Sequence, residues 1–241
     1  MLEKPLAPPS LIAPDQLGLN YADPLVGQIM QLEALRSGDA WQGNTPWHVF
    51  LQLKHIFHIM ESLGSSRIEG NRTTIADYIE TQIGAAPPPA PDEKFTEIEN
   101  ISTALKYIEE VLTPAQPLTT TLLLELHQLL MQGLTPPQQR RGSGEGDVAP
   151  GQWRQQQVKI TGATHTPPLG IHVAGLMQDW VDYINRPVAR QFDLLKVALA
   201  HHAFTWIHPF NNGNGRMARL LTYAMLLQAG FGVNRLGRLL N

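Results

Sequence analysis

The stretch His208-Pro-Phe-Asn-Asn-Gly-Asn-Gly-Arg-Met-Ala-Arg219 constrains this chain more than any other, because it must end one helix and begin the next within a few residues. Upstream, the run from Leu194 to Ile207 reads as an apolar helix, and it has to stop at His208, since a residue before proline is driven away from helical geometry. Downstream, Leu220, Leu221, Met225 and Leu227 resume a helical pattern that closes near Gly230. Gly213, Asn214 and Gly215 lie between, residues that tolerate positive φ and can turn several N–H groups toward one point. Such a nest at a helix N-terminus favours phosphate. Arg216 and Arg219, three apart, share a face of the first turn, where guanidinium forks can hold phosphate oxygens bidentately. The stretch therefore sets a proton acceptor, His208, beside an anion site.

Composition narrows what surrounds it. With 241 residues, 43% hydrophobic and 16% charged, the chain can bury a core as one large domain or two small ones. It has no cysteine, which excludes disulfides and thiolate metal sites, and no early apolar run resembling a signal peptide or a membrane span. The default address is cytoplasmic. Residues 1–120 hold 15 acids and 7 bases, the remainder 6 acids and 11 bases, so the basic half contains the phosphate nest. That modest excess suits a nucleotide, whereas a nucleic-acid surface would carry a denser basic patch.

Taken in order, proline-rich residues 1–20 form an extended arm. A helix follows Pro24 and ends at Ser37. The next, from Trp47 to Leu63, is so apolar (Leu51, Leu53, Ile56, Phe57, Met60) that it is expected in the core. Its continuation brings Ser65 and Glu69, four apart, onto one face before Gly70-Asn71 stops it. Thr73-Thr74 caps a short helix with Ile75, Tyr78 and Ile79, and the proline run 84–91 is a loop. Two amphipathic helices cover 92–112 and 120–131, the second carrying His127, read as structural. After glycine-rich 142–146, Trp153, Val158 and Ile160 favour strand and give a small hairpin, followed by a helix over 171–185.

His-Pro-Phe-x-x-Gly-Asn-Gly-Arg-x-x-Arg resembles the signature of Fic-domain proteins, with one departure: Asn212 stands where that family usually has an acid. Ser65-x-x-x-Glu69-Gly70 resembles the family's inhibitory motif, placed as in members with an N-terminal inhibitory helix. Gly151-x-Trp153-Arg154 with Val158-Lys159-Ile160 and Pro167-Pro168 resembles its flap. The resemblance implies an all-α helical bundle with a small β-hairpin flap over the active site. The resemblance covers roughly residues 60–235, and with the pattern read above the chain divides into an N-terminal arm and helix (1–45), a helical region with the inhibitory motif 65–70 (46–115), and a core (116–241) with the flap at 151–162 and the motif at 208–219.

The activity implied is transfer of AMP from ATP to a hydroxyl side chain of a target protein or of the chain itself. His208 would accept the hydroxyl proton. Gly213, Asn214 and Gly215 would cradle the α- and β-phosphates, with Arg216 on the β- and Arg219 on the γ-phosphate. Glu69 would pair with Arg219 and occupy the γ-phosphate position, while the flap (Trp153, Arg154, Val158, Lys159, Ile160) would dock the target by strand addition. Mg2+ is implied with ATP, with Asn212 offering it only a neutral carbonyl oxygen. Two alternatives stay open: a Fic-fold enzyme that uses another nucleotide or removes AMP, and a nucleotide-binding regulator whose chemistry has lapsed at Asn212. No nucleic-acid or membrane partner is expected.

Overall fold

A computed structural model describes residues 8–37, 46–82, 93–113, 116–134, 149–160 and 162–231, and the regular elements among them are all helical. They are α1 (Pro24–Ser37), α2 (Trp47–Ile68), α3 (Ile75–Gln82), α4 (Glu93–Val111), α5 (Thr120–Met131), α6 (Gly170–Asn185), α7 (Asp193–Ile207) and α8 (Asn214–Gln228), with 3-10 turns at Pro14–Leu17 and Arg190–Phe192. The boundaries follow local chemistry. Thr119 caps α5 by accepting from Leu122 N, and Thr74 exchanges hydrogen bonds with Asp77 at the start of α3. None of these helices is long and apolar enough to cross a membrane.

Helices α4 to α8 share one core. Ile101, Leu105 and Ile108 of α4 meet Leu123, Leu126 and Leu130 of α5, Val173, Met177 and Trp180 of α6, Phe204 and Ile207 of α7, and Leu221 of α8. Trp180 is wholly buried and satisfies its indole N–H on the Ala200 carbonyl at 2.8 Å. Residues 8–20 of the arm lie on this body: Tyr183 donates to Ile12 O at 3.0 Å, and Ser10 pairs with His202. The proline run 84–91 and the glycine-rich segment 142–146 lie outside the described residues.

Two expectations fail here. Helix α2 is not a core helix: Leu51, Ile56, Phe57 and Met60 are between 44% and 64% exposed, and the buried side carries His58, Ser62, Leu63, Ser65 and Ser66. Small serines let α2 lie close to α4 and α8, and a polar node fixes it there. Glu109 of α4 accepts from Lys54 at 2.6 Å, from His58 at 3.1 Å and from the Tyr223 hydroxyl of α8. Burial alone would raise the Glu109 carboxyl, but the hydrogen bonds from His58, Lys54 and Tyr223 outweigh it and hold it at about 2.

The second correction concerns the flap. Among the described residues there is no strand, and 151–160 runs as an irregular segment rather than a β-hairpin. Side chains take the carbonyls that a ladder would use. Arg154 donates to Gln156 O and Pro168 O, and Gln157 donates to Pro167 O at 2.7 Å.

Candidate active site

The site is built where α7 ends and α8 begins. His208 closes α7 with its N–H on Phe204 O at 3.0 Å and adopts φ 52°, ψ 62°, a left-handed conformation in place of the helical one that Pro209 forbids. Arg154, fully buried, caps this helix end. Its guanidinium donates to His208 O at 2.7 Å and Ile207 O at 3.1 Å, besides Gln156 O and Pro168 O, and its own N–H reaches Pro209 O. Burial lowers the guanidinium to about 10, so it remains a cation.

The loop after His208 is tied to itself. Asn214 Oδ1 accepts from Phe210 N–H at 2.9 Å, and its amide donates to Phe210 O at 2.7 Å. The Asn214 side chain, expected on phosphate, is a buried loop brace; only its backbone N–H belongs to the nest. Phe210 is wholly buried, stacked on His127 with centroids 3.7 Å apart and tilted on Trp153 at 5.0 Å. Gly213, at φ 75°, turns the chain into α8, whose first N–H groups lack intrahelical partners. Asn212 Oδ1 covers the Gly213 N–H at 2.7 Å.

Both arginines of the motif face this turn, and both are engaged by carboxylates. Arg219 donates to the Ser65 hydroxyl at 2.7 Å, to Ser65 O at 3.1 Å and to Glu69 Oε1 at 2.8 Å. A Cβ at Gly215 would stand 2.3 Å from that same Glu69 oxygen, which places the carboxylate against the bare backbone of the first turn of α8. Gly70, at φ 96°, lets the chain leave α2 there. Arg216, 5% exposed, pairs with Glu97 of α4 at 2.7 Å, and Glu97 also accepts from Asn71. With Glu69 and Glu97 in place, the cavity between them, Asn71, Asn212 and Arg216 holds about 250 Å³, below the roughly 300–1,000 Å³ of small-molecule sites. A larger cavity of about 520 Å³ lies at the other ends of α7 and α8, between Arg36, Asn185, Asp193 and Gly230, away from His208.

Burial pushes the His208 imidazole down to about 4; a hydrogen bond to the Thr205 backbone opposes this, while Arg154 and His165 add to it. At neutral pH the ring is uncharged, one nitrogen on the Thr205 carbonyl and the other able to accept a proton. A proton acceptor, a helix N-terminus and two guanidinium groups thus converge, which is the equipment for attack at phosphorus.

Of the flap residues, Arg154 and Val158 are buried and structural, Trp153 is partly buried on Phe210, Ile160 is partly exposed and Lys159 is exposed. Sequence reasoning missed Glu97, whose link to Arg216 spans helices distant in the chain. It also missed Gly170, the first residue of α6, where a Cβ would lie 2.0 Å from the Gln155 carbonyl of the flap. Its only sequence signal is a glycine in a first helical turn directly after Pro167-Pro168-Leu169. Among the described residues no group of three His, Asp or Glu side chains is arranged to hold a metal.

Comparison with known proteins agrees with the all-helical fold. The Fic/DOC family model matches residues 117–226. Over 178 residues the chain is 34% identical to a protein of Drosophila willistoni named protein adenylyltransferase Fic, a match covering 72% of this chain and 32% of the relative. The chain spans about a third of the length of the curated relatives it matches. Among solved structures, a Fic family protein from Desulfovibrio desulfuricans superposes with TM-score 0.62 at 23% identity, covering 93% of this chain and 62% of the other. A Fic domain containing signaling protein from Bacteroides thetaiotaomicron superposes with TM-score 0.65 at 20% identity, covering 84% and 73%. Residues 117–226 therefore carry a Fic/DOC domain, and the helical fold around them is that of Fic-domain structures.

Proposed function

We propose that this protein is an adenylyltransferase that moves AMP from ATP onto a hydroxyl side chain of a target protein or of itself, and that Glu69 restrains it. The observation that carries the reading is the convergence of neutral His208 with the Gly213–Gly215 turn and the two motif arginines. The hydroxyl oxygen attacks the α-phosphorus, the bond from that phosphorus to the bridging oxygen breaks, and pyrophosphate leaves. The hydroxyl proton passes to the free nitrogen of His208. Positioning and charge stabilisation supply most of the catalysis in such transfers, and here they fall to the backbone N–H groups of Asn214 and Gly215, since Asn212 Oδ1 already takes that of Gly213, and to Arg216 and Arg219.

The Glu69 carboxylate lies where it competes with phosphate for Arg219 and for the first turn of α8. Residues 46–115 then carry the restraint and 116–241 the catalytic core. Lys159 and Ile160, with Trp153 behind them, are the part of 151–160 open to a target segment, which the backbone can hold by main-chain hydrogen bonds without a preformed hairpin. The residues present do not form a carboxylate site for Mg2+: Asn212 is neutral and its side-chain oxygen is committed to Gly213 N–H. Any ion arrives with the nucleotide phosphates.

Incubating Glu69→Gly and Glu69→Gly/His208→Ala proteins with labelled ATP and lysate tests the reading. Label in the first, above the parent, and none in the second is the expected result. Equal label in the parent and Glu69→Gly with His208 intact would remove the inhibitory assignment, and label in the double variant would remove His208 as the base. Parallel incubations with labelled UTP, GTP and CDP-choline identify the donor.

A further inference from the structure

His127 lies on α5, 5% exposed, between the motif loop and the flap segment, and the mechanism above gives it no part. Its ring faces that of Phe210 at 3.7 Å with 5° between the planes. Each ring nitrogen is used. Gly151 N–H reaches Nδ1 at 2.9 Å, and Nε2 lies 3.1 Å from the Asn212 carbonyl oxygen. A backbone N–H can only donate and a carbonyl can only accept, so Nδ1 is bare and the proton sits on Nε2. This assigns the tautomer from the partners alone.

The two partners belong to different segments. Asn212 immediately precedes Gly213, where the phosphate turn begins, and its carbonyl fixes the approach of that turn. Gly151 opens the flap segment at φ 81°, close against the Leu124 carbonyl and the Gln128 side chain. Three residues later Arg154 grips the end of α7 below His208. One rigid ring therefore spans the backbone that receives the nucleotide and the backbone that receives the acceptor. In the adenylyl-transfer reading, on which this rests, the attacking oxygen and the α-phosphorus must meet in a narrow range of distance and angle.

We infer that His127 is a positioning residue, whose Nε2–H tautomer sets the placement of the phosphate loop relative to the target-docking segment. The two arms can be cut separately. Glutamine retains a donor where Nε2 lies, asparagine retains an acceptor where Nδ1 lies, and phenylalanine retains only the stack on Phe210. All three are made in the Glu69→Gly background and read by ATP affinity (calorimetry) and by self-labelling rate at saturating ATP.

His127→Gln is expected to leave the ATP Kd within about twofold and to slow labelling about three- to tenfold, the scale of one net hydrogen bond. His127→Asn is expected to weaken ATP about three- to tenfold and to regain labelling at saturating ATP, and His127→Phe to lose on both counts. If the Gln and Asn variants change both readouts alike, or the Phe variant matches the parent, the inference is overturned. Should the Glu69→Gly protein label nothing, the adenylyl-transfer reading fails, while the contrast in ATP Kd between the Asn and Gln variants still decides the role of His127. Should the variants not fold, 15N NMR of the imidazole in the Glu69→Gly protein decides it: a fixed Nε2–H tautomer supports the inference, and Nδ1–H or a rapidly exchanging ring overturns it.

Discussion

Arg219 on α8 and Glu69 at the end of α2, 150 positions apart in sequence, meet at 2.8 Å, and the hydroxyl of Ser65 takes a further guanidinium N–H at 2.7 Å. Glu69 is the more exposed member of the ion pair, with a side chain 38% accessible against 22% for Arg219. An ion pair so placed contributes about 0–1 kcal/mol, so the proposed restraint would draw on Ser65 as well as on charge. Ser65→Ala is expected to raise AMP incorporation about threefold, clearly short of the rise in Glu69→Gly. Initial rates of label incorporation for the two variants measure this, and a Ser65→Ala rate equal to the parent's would show that the hydroxyl takes no part.

Arg154 supports the site from below. Its side chain satisfies four backbone carbonyls, on Gln156, Pro168, Ile207 and His208, and is wholly buried. Arg154→Met fills much of the volume but leaves those acceptors without a donor, each costing about 1–3 kcal/mol when it stays dry. Water entry relieves part of this, so the expected loss is about 3–5 kcal/mol by urea denaturation. Activity is expected to fall further than stability explains, because the left-handed turn that aims His208 loses its brace. A stable Arg154→Met protein with full activity would show that this brace is dispensable.

The helix ends were legible because they rest on local chemistry: Pro24, Thr74, Gly70 and Pro209 each act within a turn of their own position. The motif loop was legible for the same reason. Arg154 was not, since nothing in Gly151-Gln-Trp-Arg tells whether the guanidinium points outward to a target or inward to the end of α7. Strand-favouring Trp153, Val158 and Ile160 suggested a hairpin, yet Val158 and Arg154 are buried and side chains replace the ladder. Periodicity in α2 announced a helix but not which side it buries. Lys54 and His58, reaching Glu109, decide that.

Acid is expected to unfold this protein early. Burial, with Arg216 adding to it against a hydrogen bond to Asn212, holds His127 near 4, and burial likewise holds His208 near 4, against about 6.5 for an unfolded chain. Between those values the unfolded state binds more protons, so stability is complete above pH 6.5 and declines as pH falls toward 4. Each imidazole tilts the balance by up to about 1.4 kcal/mol per pH unit. Urea midpoints are expected to drop steadily from pH 7 to pH 5, and a flat profile would show that neither ring is held neutral. The acid limb of Glu69→Gly activity is expected well below pH 6, since His208 is still neutral and able to accept a proton at pH 6 and is lost to protonation only toward pH 4.

In the proposed reaction, Asn212 is the side chain expected to govern how Mg2+ arriving with ATP is met. Its side-chain oxygen takes the Gly213 N–H and its backbone oxygen takes His127, so the amide gives Mg2+ a single neutral oxygen that is already engaged. An aspartate at this position can keep one oxygen on Gly213 N–H and offer the second, with its charge, to an ion arriving on the phosphates. In the Glu69→Gly background the asparagine form is expected to work weakly, with a high Mg2+ requirement. Asn212→Asp is expected to lower the Mg2+ concentration for half-maximal AMP incorporation by about tenfold, a change of about 1.4 kcal/mol in ion binding. The fold is expected to be unaffected, because Asn214 on Phe210 and the residue-212 backbone carbonyl on His127 still brace the loop after the substitution. Magnesium titrations of the two proteins at fixed ATP make the comparison. Superimposable curves would mean that the phosphates alone hold the ion and that position 212 serves the turn only.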